Sequence, residues 1–151
     1  MGRLGAGVSE QHAASYRRWE DADVLMRAER WRGAMYMAGY SLECALKATL
    51  MREWGVTNLG DLEDVLRQQH ASEGSLFTHD LERLFSLTRL GGAVMGNPSP
   101  TPYERQIMRW FRACNGWVVA WRYSGSIGAR NDCERMLSAV EALVRKVRAS
   151  T

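Results

Sequence analysis

The chain has 151 residues, 46% of them hydrophobic and 25% charged, with a formal net charge of +3. Such totals fit one globular domain that can hold its core without a metal or a disulfide. Its longest apolar runs fall far short of the ~20 residues that span a bilayer, and its first residues lack an apolar signal segment. The small positive balance permits a polyanionic partner without requiring one. All but two of the 20 basic residues, Lys47 and Lys146, are arginine. Arginine's planar fork suits phosphate better than lysine does, although a GC-rich coding bias would give the same composition.

Residues 1–8, small and glycine-rich, read as a flexible leader, and residues 9–148 as one helical domain. Ser9 is placed to cap a first, charge-dense helix running to about Trp31, with Gly33 marking the break. A second helix over about Ala34 to Trp54 carries Ala38, Leu42, Ala45, Leu46 and Thr49 at 3- and 4-residue spacing. Gly55 and Gly60 bracket a loop, and Asp61 to Ala71 follows as a short helix. Another helix is expected from Thr78 to just before Gly91, with Leu81, Leu84, Phe85 and Leu87 inside it. Gly91 to Pro102 reads as the clearest loop. At its end Thr101-Pro102-Tyr103-Glu104 offers a capping threonine, a first-turn proline and a glutamate at the capping-box position. The helix so begun runs to about Tyr123. After a turn at Ser124 to Gly128, a last amphipathic helix capped within Asn131 to Glu134 carries Cys133, Met136, Leu137, Val140, Leu143, Val144 and Val147. The expected fold is all-α: an up-and-down bundle of the four-helix type with an additional short inserted helix, five or six helices altogether.

Cys44, Cys114 and Cys133 are odd in number, widely spaced and set in apolar patterns, so they read as reduced core residues of a cytoplasmic protein. The histidines, His12, His70 and His79, stand at no zinc-ligand spacing from them, and no metal or other cofactor is implied.

Two helix faces carry more information. On the Tyr103 to Tyr123 helix the stripe Ile107, Phe111, Cys114, Val118, Trp121 adjoins a second, Tyr103, Trp110, Ala113, Trp117, Ala120. Together they cover roughly 180° of arc against roughly 100° for an ordinary bundle helix. Either Trp110 and Trp117 form a self-association face, giving a homodimer, or a further element covers them within the chain. On the second helix Tyr36, Tyr40, Glu43 and Lys47 fall within roughly 60° of one another. This row reads either as half-buried tyrosines beside a solvated ion pair, or as a groove in which tyrosines stack a base and cations meet phosphate.

The segment Met35-Tyr-Met-Ala-Gly-Tyr-Ser-Leu-Glu-Cys-Ala-Leu-Lys-Ala-Thr-Leu50 resembles the second-helix signature of the HEPN family. Trp19-Glu-Asp-Ala-Asp23 before it, Thr78-His-Asp-Leu81 with Leu84 after it, and Trp121-Arg-Tyr123 resemble further family segments in order, so the likeness covers nearly the whole chain. It implies a helical bundle, usually dimeric, that is either a metal-independent ribonuclease of a toxin–antitoxin pair or a nucleotide- or RNA-binding partner of a small nucleotidyltransferase. The family's ribonucleases carry Arg, four to six residues, then His. Here Arg122 and Arg130 have no histidine after them, Arg67 and His70 are too close, and Arg67 and His79 too far apart. The sequence therefore points to a non-catalytic binding domain, with ligand contacts at Tyr36, Tyr40, Glu43, Lys47, Arg122 and Tyr123. A divergent ribonuclease using Arg122, Tyr123 and His79, and a protein-interaction scaffold, stand as alternatives.

Overall fold

A computed structural model describes residues 7–69, 81–123 and 130–149, with the backbone alone for 117–123. The described residues form seven helices and no strand: α1 (Val8–Arg27), α2 (Trp31–Glu53), α3 (Leu59–Gln69), α4 (Leu81–Leu87), α5 (Arg89–Gly96), α6 (Pro102–Tyr123) and α7 (Arg130–Ala149). The fold is an all-α helical bundle.

Helix ends explain where the sequence reading and the structure part. α1 begins at Val8 with Gly7 at its cap, so Ser9 lies in the first turn instead of capping it. α1 stops well short of Gly33. Glu29 takes a left-handed φ of +60°, and the amides of Glu29 and Arg30 reach back to the carbonyls of Met26 and Leu25 at 3.0 and 2.8 Å. This closure is usually given to glycine, because a side chain there costs about 1–2 kcal/mol. The same closure ends α2 with the expected residue: Gly55 at φ +66°, and Val56 bonding back to Met51. Gly33 lies inside α2.

The helix expected up to Gly91 is broken at Thr88. Its hydroxyl donates to the Phe85 carbonyl and accepts the Gly91 amide, while Glu53 of α2 accepts the Arg89 amide at 2.8 Å. Thr88 thereby caps a new helix, α5, which takes in Gly91 and Gly92 and shortens the expected loop to its second half. Gly91 has no room for a side chain, since a Cβ would strike the Phe85 carbonyl. α3 starts at Leu59 because Asn58 caps it through the Asp61 amide. The Thr101–Glu104 capping box forms as expected, with both reciprocal bonds at 3.1 Å. α7 is helical from Arg130, so Asn131 sits within its first turn. The expected start at Thr78 and the turn at Ser124 to Gly128 lie outside the described residues.

α2 is the central helix, packed on α1, α3, α4, α6 and α7. Its face toward α1 is small and buried: Ala34, Ala38, Ser41, Ala45 and Ala48. Such residues let two helix axes approach closely. Ser15 and Ser41 use that closeness, each hydroxyl donating to the other's backbone carbonyl at 2.8 and 2.6 Å. On the opposite side Leu42, Leu46 and Leu50 meet a core that includes Leu84, Ile107, Val140 and Leu143, with Phe85 and Phe111 stacked at 4.5 Å. Cys44, Cys114 and Cys133 are free thiols within this interior. No described helix is long and apolar enough to cross a membrane.

Candidate functional site

The serine pair fixes the register of α1 against α2 and so decides what lies beside the tyrosine row. Three residues beyond Ser15, the Arg18 guanidinium sits 5.3 Å from the centre of the Tyr40 ring. A contact of that geometry is a cation–π interaction worth about 0.5–1 kcal/mol near the surface. Arg18 is also 3.4 Å from Asp21 on its own helix, and its buried Nε has no hydrogen-bond partner among the described residues. Tyr36, one turn before Tyr40 on α2, is 57% exposed and Tyr40 37%.

One turn further along the same row the environment inverts. Glu43 is only 4% exposed, and its carboxylate takes the Lys47 ammonium at 3.3 Å. Lys47 reaches the mouth of a narrow apolar crevice formed with Leu50, Leu59, Leu62, Glu63, Leu66 and Leu84. The pair expected on a solvated shoulder is therefore largely buried, because α3 and α4 cover that half of α2. Periodicity gave the row but not its cover.

Cys44, beside Glu43, reports the local field. Burial first and Glu43 second push its thiol up to about 11, while Lys47, Arg18 and Arg17 pull the other way. The thiol is protonated at neutral pH and a poor nucleophile. Two cations of α1, Arg17 and Arg18, and one of α2 itself, Lys47, thus lie within electrostatic reach of Cys44. Sequence reading missed Arg17 and Arg18. The signal that could have found them is the buried small-residue face of α2, which demands a close partner helix and sets the residues along its edge.

Arg122 and Tyr123 belong to the last turn of α6, and their side chains lie outside the described residues, as do Trp117, His70 and His79. Arg52 near the end of α2 and Arg148 near the end of α7 both act on His12. Lys146 lies 5.1 Å from the Tyr103 ring, so the start of α6 lies near the end of α7. Trp110 and Ala113 are half-buried against the core, whereas Tyr103 is 53% exposed. Part of the second stripe on α6 is thus absorbed within the chain.

Among the described residues no group of three or more His, Cys, Asp or Glu side chains could hold a metal. What the site offers is two partly exposed tyrosines, Tyr36 and Tyr40, and an arginine of α1 lying over the Tyr40 ring. No protein-family model matches the chain, and no curated protein or solved structure matches it.

Proposed function

We propose that this chain is a HEPN-like domain that binds a nucleotide or RNA in the groove between α1 and α2. In this reading it performs no chemistry itself and serves a small nucleotidyltransferase in a toxin–antitoxin or defence setting, as a cytoplasmic homodimer. The observation that carries the reading is Arg18 over Tyr40 beside the exposed Tyr36. A base stacked on Tyr36 gains ~1–3 kcal/mol, and a phosphate beside it meets the forks of Arg18 and Arg17. Arg122 and Tyr123 would close the groove from the last turn of α6. The Glu43–Lys47 pair lies beneath it as a support.

Thermal melting against a panel of nucleotides and short single-stranded RNAs tests the proposal, with wild type beside Arg18→Gln. The expected result is a rise in the wild-type Tm that added salt weakens and Arg18→Gln removes. A metal-free incubation with labelled RNA tests the alternative chemistry. Cleavage abolished by Arg122→Ala would replace the binding reading with a divergent ribonuclease. Light scattering at tens of micromolar tests the dimer, and a clean monomer would overturn it.

A further inference from the structure

α6 carries the largest net positive charge of the described helices. α6 holds four arginines against the single carboxylate of Glu104, a net +3, which equals the net charge of the whole chain. Glu104 is engaged at the helix start, where the Thr101 amide and the Asn97 side chain hold its carboxyl below the usual range. Three of the arginines, Arg105, Arg109 and Arg112, recur at steps of four and three and are all exposed. By helical geometry they share one outward row about 10 Å long, directly opposite the buried Ile107, Phe111 and Cys114.

Four arginines elsewhere are neutralised on their own helix: Arg27 by Asp23, Arg67 by Glu63, Arg130 by Glu134 and Arg145 by Glu141, at 2.7–3.0 Å. The α6 row is not. Arg105 donates to the Pro100 carbonyl and Arg109 to the Gln106 amide oxygen, and none of the three has a carboxylate partner among the described residues. An uncompensated row of like charges four residues apart works against its own helix. Three exposed guanidiniums in one row without a carboxylate among the described residues are complementary to an anionic partner.

We infer that the Arg105–Arg109–Arg112 row of α6 is a docking surface for the phosphate backbone of single-stranded RNA, separate from the tyrosine groove. The inference takes from the proposed function only that the ligand is ribonucleic. Evenly stepped guanidiniums on a straight helix suit the regular charges of a phosphodiester chain. Phosphate contacts of this kind give affinity without sequence preference, and each released counterion adds to the salt dependence.

The test measures binding of a labelled single-stranded oligoribonucleotide between 50 and 200 mM salt, values chosen as roughly those over which such contacts weaken. Three proteins are compared: wild type, Arg105→Gln/Arg109→Gln/Arg112→Gln, and a control, Arg67→Gln/Arg130→Gln/Arg145→Gln, with the same net charge. Glutamine keeps helix propensity close to that of arginine, and matched far-UV circular dichroism confirms the folds. The expected result is at least tenfold weaker binding by the α6 variant at low salt. Its salt slope should be shallower by about 2, at ~0.7 per lost contact, with the control close to wild type. Equal losses in both variants would overturn the inference in favour of diffuse net charge, and an unaffected α6 variant or no binding by wild type would overturn it directly. A polyglutamate chain that competes as well as RNA would reassign the row to an acidic protein. The mononucleotide Tm shift separates the two proposals: its absence with row-dependent RNA binding sinks the groove alone, and its survival in an α6 variant with wild-type RNA affinity sinks the row alone.

Discussion

Toward the α1–α2 turn, this helix pair presents Arg18, Tyr36 and Tyr40 to solvent; beyond the Ser15–Ser41 contact it buries Glu43, Thr49 and the ring nitrogens of His12. Both halves use polar and aromatic side chains at the edge of the same interface, yet their energetics differ. In the closed half each polar group has given up water, so disturbing it leaves a charge or donor stranded. In the open half the tyrosine rings stay partly in water, although the Arg18 Nε is buried, and removing these side chains strands no charge in the interior. Residues of the first kind report on stability, and residues of the second kind are available for a ligand.

The largest expected effect is in the closed half. Lys47→Met leaves Glu43 buried without its ammonium partner and should cost about 3–5 kcal/mol, while the double variant Glu43→Leu/Lys47→Met should recover most of that loss. Urea unfolding measures both, and a cost under about 1 kcal/mol for Lys47→Met would mean that the pair is wet and the division misplaced.

Next comes His12. Burial first, then Arg52 and Arg148, lower its pKa from 6.5 to about 4. The unfolded chain therefore takes up this proton below its ordinary value while the folded chain resists until about 4. Stability should fall as pH drops from about 6.5 toward 4, by at most roughly 3 kcal/mol, and less to the extent that water screens the partly exposed ring. In His12→Leu this part of the pH dependence should vanish. An unchanged profile would show that other groups carry the acid sensitivity.

Ser15→Ala removes one hydroxyl of the reciprocal pair and should cost about 1–2 kcal/mol, read as a shift in the urea midpoint at unchanged slope. Smallest is the open half, where Tyr40→Leu or Arg18→Gln should change stability by less than about 1 kcal/mol. A larger loss there would move Arg18 and Tyr40 into the structural class.

The helical fold was legible because most of its signals are local. The Thr101–Glu104 box and the left-handed Gly55 need only a few neighbouring residues to act, and both stand where the sequence puts them. The errors came where tertiary contacts outweigh local preference. Glu29 takes a conformation that Gly33 offered more cheaply, and α2 has already begun when the glycine is reached. Thr88 breaks an apolar run because Glu53, distant in sequence, satisfies the next amide. The candidate site was half legible on the same grounds. Periodicity placed Tyr36, Tyr40, Glu43 and Lys47 on one row, but their exposure depends on α3, α4 and Arg18, which no spacing within α2 encodes.

The measurement that bears most directly on nucleotide binding by the open half is the melting of wild type and Tyr36→Ala/Tyr40→Ala with mononucleotides and short single-stranded RNAs at low salt. The account predicts that at least one ligand raises the wild-type Tm, and that the double variant melts close to wild type without ligand yet shows no rise. A flat wild-type response across the panel, or a strongly destabilised variant that still responds, would contradict it.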